Sequence, residues 1–199
     1  MNLENQIRNK LNSLKPTITT VTFSNGEVHQ EIRNEAGELQ KIKLNLSSPG
    51  FIIDQVPNLS ISEILPWLYM GSQDVAYDYY LLKSNNITHI LSIGIPCPQY
   101  NDISNTLIKA YDLDEFCIAA IFERCFEIIN YVKEISGIVF VHCNAGISRS
   151  PTVVAAYLIK YYNITPEEAL HRIRKKRPKI NPNQGFLKQL EDFYFSLPN

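Results

Sequence analysis

From residue 61 onward, short apolar runs alternate with longer stretches whose apolar residues recur every three or four positions. The first pattern suits buried strands and the second amphipathic helices. ILPWLYMGS (64–72) predicts a strand ending in a glycine turn, and QDVAYDYYLLKSN (73–85) a helix. ITHILSIG (87–94) and NTLIKAYDL (105–113) predict two more strands. Between 118 and 136 the apolar positions 118, 121, 122, 125, 128, 129 and 132 predict a helix, so Cys117 and Cys125 read as core packing. GIVFVHC (137–143) is continuously apolar, as a central strand is, and SPTVVAAYLIKYY (150–162) follows as a helix. Thr165-Pro166-Glu167-Glu168 opens the next helix: Thr165 is an N-cap, Pro166 fits the first turn and Glu168 completes a capping box. GFLKQLEDFYFS (185–196) predicts a last helix. Strands alternating with helices predict an α/β fold with a central, mostly parallel, twisted sheet of four to five strands flanked by helices.

Residues 1–60 have a different texture. IRNKLNSL (7–14) predicts a short helix, and TITTVTF with VHQEI a hairpin around Asn25-Gly26. The stretch 34–50 is polar and interrupted by Gly and Pro. The expectation is an N-terminal extension over 1–60, loosely ordered or partly structured, before a single domain over 61–199. Within the extension, LQKIKLNL sets Lys41 and Lys43 before Leu44 and Leu46, the spacing of a kinase docking peptide; an ordinary surface segment is the plainer reading.

Composition narrows the class. The chain has 199 residues and a formal net charge of −1, so global electrostatics points to no nucleic-acid or membrane partner. Four cysteines, Cys97, Cys117, Cys125 and Cys143, form no CxxC pair, which suits a reducing compartment. The first ten residues hold no apolar signal core, and no apolar run approaches the ~18 residues of a membrane span. The expectation is a cytoplasmic protein with access to the nucleus. No cluster of metal ligands is visible, and neither metal nor cofactor is expected.

The chemistry concentrates in VHCNAGISRSPT (141–152). In open α/β sheets, ligands gather beyond the carboxyl ends of the strands. Cys143 ends a predicted buried strand, and Asn144, Ala145, Gly146, Ile147, Ser148 and Arg149 lead into a helix. Such a loop can turn successive N–H groups inward as an anion nest, with the positive end of the helix dipole behind it. That field favours the thiolate over the thiol. Arg149 offers a planar fork for two phosphoryl oxygens, which a lysine could not match. Gly146 lets the loop close tightly. The stretch therefore reads as a nucleophile inside a phosphate cradle. The cysteine attacks phosphorus in line, and the cradle stabilises the equatorial oxygens. The leaving oxygen needs an acid, and AYDLDEF supplies Asp112 and Asp114 after a predicted strand. Ser150 can hydrogen-bond the sulfur and help it leave in the second step. His142 reads as a structural residue that shapes the loop, because its side chain points away from that of its strand neighbour. A chance match to His-Cys-x-x-Gly-x-x-Arg-Ser is expected about once in ten thousand such chains or fewer, so an inert buried cysteine is the weaker reading. RIRKKRPK (172–179) reads first as a solvated basic face at a helix end, with a phosphoprotein-steering patch or nuclear signal as the alternative.

These residues resemble the signature loop of the cysteine-based protein tyrosine phosphatases, in the dual-specificity form. ILPWLYMGSQDVA, ITHILSIG and KRPKINPNQGFLKQL are similar to the start, middle and end of that domain, over roughly 61–190. Within the family the likeness is to atypical members that regulate stress-activated protein kinase pathways, carried by PWLYMGSQD and RPKINPNQGF. The resemblance implies Cys143 as nucleophile, Arg149 as phosphate ligand and Asp112 as general acid, with Asp114 in reserve. It also implies that Asn183 braces the loop; from the residues alone, Asn183 reads equally as the N-cap of the last helix. The expected partner is a phosphorylated protein, a kinase of a stress-activated cascade. Two alternatives stand beside this reading. One is a phosphoprotein-binding module with weak catalysis. The other is a phosphatase for a non-protein ester, disfavoured because Asn144, Ala145, Ile147 and Ser148 are uncharged.

Overall fold

The structure, a computed structural model, describes residues 18–23, 27–33, 39–47 and 57–198. It divides into two compact units, Met1–Ser48 and Pro49–Asn199.

The first unit contains three antiparallel strands, β1 (Ile18–Thr22), β2 (Glu27–Arg33) and β3 (Leu39–Ser47), in the order β1-β2-β3. Thr22 pairs with Val28 and Phe23 N donates to Glu27 O at 2.8 Å, so the strands flank Asn25-Gly26 as expected. The turn itself and the predicted helix over 7–14 lie outside the described residues. The stretch read as polar and interrupted contains a nine-residue strand, β3. Lys41 pairs with Glu31 at 2.8 Å and Lys43 with Glu27, both on β2. The two lysines are therefore held in a sheet, on its edge strand, with their side chains more than half exposed.

The second unit is built on a five-stranded sheet in the order β4-β5-β8-β6-β7. The strands are β4 (Ser62–Leu65), β5 (Leu68–Gly71), β6 (His89–Ile93), β7 (Ser104–Ile108) and β8 (Val139–His142). Only β4 runs antiparallel to its neighbour; β5, β8, β6 and β7 are parallel, as the α/β expectation requires. The run 64–72 is a hairpin rather than one strand, because Pro66 and Trp67 turn the chain between β4 and β5. The helix expected over 73–85 is split into α1 (Gln73–Tyr77) and α2 (Tyr79–Ser84). Asp78 makes the break: it is extended, and its carboxylate accepts from Leu81 N and caps α2.

Helices α3 (Phe122–Glu134), α4 (Arg149–Tyr162), α5 (Pro166–Lys176) and α6 (Gln184–Ser196) complete the unit. A 3-10 turn, Ile118–Ile121, leads into α3. Val139 and Val141 of β8 pack with side chains of these four helices, while Phe140 packs with Val75, Ala76 and Leu82 of α1 and α2. That alternation places helices on both faces of the sheet. Helix α4 is the most enclosed, with every residue from Arg149 to Ile159 buried. Cys125 lies in the core, where burial pushes its thiol up to about 12, whereas Cys117 is exposed and packs no core. Thr165 caps α5 through Glu168 N, but the Glu168 carboxylate turns to Arg172 at 2.6 Å.

Candidate active site

Because β5, β6, β7 and β8 are parallel, their carboxyl ends share one rim of the sheet. Cys143 follows β8 directly, and the segment carrying Asp112 follows β7. Two residues 31 apart in sequence are thus delivered to one place by topology alone.

The loop 144–148 has its carbonyls tied from outside. Asn144 O accepts from Gln73 N at 2.8 Å, and Ala145 O and Gly146 O accept from Arg177 Nη2 and Nε, both at 2.9 Å. Ile147 O accepts from Asn181 N at 2.8 Å, and Ser148 O from Thr152 N and Oγ1. No described peptide bond is cis. In a trans peptide, C=O and the next N–H point in opposite directions. Five outward carbonyls therefore aim the amides of residues 145–149 toward the inside of the loop, the geometry of an anion nest. Gly146 permits the bend: its φ is 67°, and a Cβ there would lie 2.4 Å from Gly71 O.

Cys143 is buried, and its Sγ lies 3.3 Å from Ser150 Oγ on the first turn of α4. Arg149 begins the same helix and is 1% exposed. Its Nη1 donates to Ala110 O at 3.3 Å, and its Nε lies 3.6 Å from Asp112 Oδ2. The other carboxylate oxygen, Asp112 Oδ1, accepts from Ser148 Oγ at 2.7 Å and from Asn183 Nδ2 at 3.0 Å. Ser148 precedes α4 at the N-cap position but makes no capping bond, because its hydroxyl is spent on Asp112. The structure thus brings Cys143, Arg149, Asp112, Ser148 and Ser150 together. Asp114 lies in an exposed turn two residues beyond Asp112, and its carbonyl packs against Gly185.

His142 is fully buried. Its Nδ1 lies 3.1 Å from Cys143 O, a carbonyl that can only accept, so Nδ1 carries the proton. Nε2 then accepts from Ser92 Oγ at 2.8 Å. Burial holds the ring neutral by lowering its pKa to about 4. A neutral ring tied at both nitrogens fixes the backbone at Cys143 and has no proton to exchange with substrate. Asn183 uses separate atoms for the two readings of it. Oδ1 caps α6 through Phe186 N at 2.8 Å, while Nδ2 and the backbone N reach Asp112 and Ser148 Oγ.

One side chain of the site escapes the sequence. Arg177 belongs to the stretch read as a solvated basic face, yet it is 3% exposed. Besides Ala145 and Gly146 it binds Ser60 O through Nη1 at 2.9 Å. Burial lowers its pKa, and the charge interaction with Cys143 opposes that shift. Gln73 and Asn181 escape for a different reason: each acts through a backbone N–H, which has no residue signature.

With the geometry in place, comparison with known proteins is direct. Residues 68–195 match the family model described as dual specificity phosphatase, catalytic domain. A probable dual specificity protein phosphatase of Dictyostelium discoideum is 37% identical over 97% of both chains. Dual specificity protein phosphatase 19 of Mus musculus is 37% identical over 72% of this chain, and the match spans 66% of the mouse protein. The crystal structure of DUSP15 superposes with a TM-score of 0.67 at 37% identity, covering 70% of this chain and 90% of that one. The chain accordingly belongs to the dual specificity phosphatase family, cysteine-dependent enzymes that hydrolyse phosphate esters of tyrosine, serine and threonine in proteins.

Proposed function

We propose that this phosphatase works through a cysteinyl-phosphate intermediate on a phosphorylated kinase of a stress- or mitogen-activated cascade, in the cytoplasm and with access to the nucleus. The observation that carries the mechanism is the convergence of a sulfur, a guanidinium and a carboxylate on a loop whose five carbonyls all face away. The Cys143 thiolate attacks phosphorus, forming the S–P bond as the P–O bond to the substrate breaks. Asp112 gives its proton to the leaving oxygen. The inward amides and Arg149 stabilise the equatorial oxygens. Water, deprotonated by Asp112, then breaks the S–P bond, and a hydrogen bond from Ser150 Oγ favours the departing sulfur. No charged side chain lies between Cys143 and Arg149, which favours a single phosphate monoester over a polyanionic inositide.

The test is release of phosphate from a panel of doubly phosphorylated kinase activation-loop peptides, set against an inositide panel, with Cys143→Ser as control. The proposal expects turnover of the peptides, none by the variant, and a preference among peptides. Faster turnover of inositides would overturn the substrate class. Binding of peptides without turnover would favour a phosphoprotein-binding module.

A further inference from the structure

The segment that carries Asp112 runs from Ala110 to the 3-10 turn and contains no helix or strand of its own. A proton donor must hold its carboxyl within hydrogen-bond reach of the leaving oxygen, so an irregular segment must be held by something else. Ser148 and Arg149 hold its start at Asp112 and Ala110, and one helix holds the rest. Asn183, which caps α6, bonds Asp112 Oδ1. On the first turn of α6 stands Gly185, where a Cβ would come within 2.0 Å of Asp114 O and 2.6 Å of its carbonyl carbon. The backbone of the acid segment thus rests directly on the helix. One turn on, at i+4 and on the same face, the Gln189 amide bridges two backbone groups. Its Nε2 donates to Phe116 O at 2.9 Å, and its Oε1 accepts from Ala119 N at 3.1 Å. Phe116 N in turn closes a tight turn on Leu113 O at 3.0 Å, next to Asp112.

We infer that Gln189, with Gly185 as the seat beneath the turn, is a positioning residue for the proton-donating Asp112. It touches neither the phosphate loop nor the carboxylate. It fixes the far end of the segment, so the turn 113–116 holds Asp112 against Ser148 and Arg149 rather than drifting toward solvent. This inference rests on the reading of Asp112 as general acid. A side chain that merely satisfied two backbone groups would lower stability and leave the chemistry of the leaving group untouched.

The experiment uses that difference. Full-length Gln189→Met keeps side-chain length while removing both hydrogen bonds. Its kcat/KM is measured on aryl phosphates whose phenols range from strongly to weakly acidic, because only weakly acidic phenols need a proton in order to leave. Inhibition by inorganic phosphate and the thermal midpoint are followed in parallel. The expected result is a loss of about tenfold on phenyl phosphate, well below the 10²–10⁴ of a complete general acid. The loss should be under about threefold on the most acidic phenol, with phosphate inhibition unchanged. Gln189→Glu keeps the acceptor for Ala119 N but sets a carboxylate oxygen against Phe116 O at neutral pH, and should show at least as large a loss with the same dependence on the phenol; it also serves if the methionine variant does not fold. An equal loss across the series, or no loss, in both variants overturns the inference. Asp112→Asn is run on the same series. If it leaves the dependence on the phenol unchanged, the acid assignment itself fails; if it steepens the dependence while neither Gln189 variant does, only the positioning role fails.

Discussion

The inside and the outside of the phosphate loop are built by two different kinds of region. The inside comes from one continuous piece of chain, β8 through α4, in which strand, nucleophile, loop, arginine and helix follow one another within residues 139–162. The outside comes from scattered pieces: Gln73 at the start of α1, Asn181 through its backbone N–H to Ile147 O, and Arg177 just past the end of α5. The inside carries groups that touch substrate. The outside carries groups that turn the loop's carbonyls away and so aim its amides. The contrast between Arg149 and Arg177 is the clearest instance. Both are buried arginines, but one reaches across the site toward Asp112 and the other grips the back of the loop.

The sharpest way to test that division is to remove the inside chemistry and leave the outside intact. Cys143→Ser should drop kcat on a small aryl phosphate by four or more orders of magnitude, as loss of a nucleophile does elsewhere, while phosphopeptide binding persists. Arg149→Lys should cost roughly 10²–10³ in kcat/KM, because a point charge cannot replace the fork. Retained activity in the lysine variant would remove the bidentate argument.

Removing the outside should act differently. Arg177→Met strips a charged donor from the carbonyls of Ser60, Ala145 and Gly146. Denaturant unfolding should show a loss of about 3 kcal/mol, and phosphate inhibition should weaken although every substrate-touching residue remains. A stability loss with unaltered phosphate inhibition would separate holding the loop from aiming it.

His142 gives a pH handle on the backbone behind the nucleophile. Its folded pKa of about 4 lies below the ordinary 6.5. Above pH 6.5 the ring is neutral in both folded and unfolded chains and contributes no pH dependence. As the pH falls from 6.5 to 4, the unfolded chain takes up a proton that the folded one refuses, and stability declines by about 3 kcal/mol. His142→Gln should flatten that part of the curve, measured as unfolding free energy against pH. The smallest effect belongs to a residue outside both regions. Thr165→Ala removes the cap from Glu168 N and should cost about 1 kcal/mol with kcat/KM unchanged.

Several elements could be read from pattern alone because their signals are local. The continuous apolar run of β8, the periodicity of α3 and the Thr165-Pro166 start of α5 each depend on neighbours within a turn or a strand. The misreadings arose where a short polar or turning unit interrupts an apolar run. Pro66-Trp67 hides a hairpin within the seven-residue apolar run 64–70, and Asp78 splits what reads as one helix. β3 has no local signal because it is held by pairing with β2, where Lys41 faces Glu31 and Lys43 faces His29 and reaches Glu27, all ten or more residues away.

By itself the sequence determined the reactive piece: a thiol, a bending glycine and a guanidinium at fixed spacing between a strand and a helix. It did so because nucleophile and cradle lie within seven consecutive residues, and short-range geometry follows from short-range order. Only the tertiary structure decided which carboxylate meets that cradle, that Arg177 faces inward rather than out to solvent, and that α6 carries the acid segment. Those outcomes depend on the parallel order of β5, β8, β6 and β7 and on backbone groups finding donors from distant turns, and burial makes such pairing obligatory without writing it in any one stretch of chain.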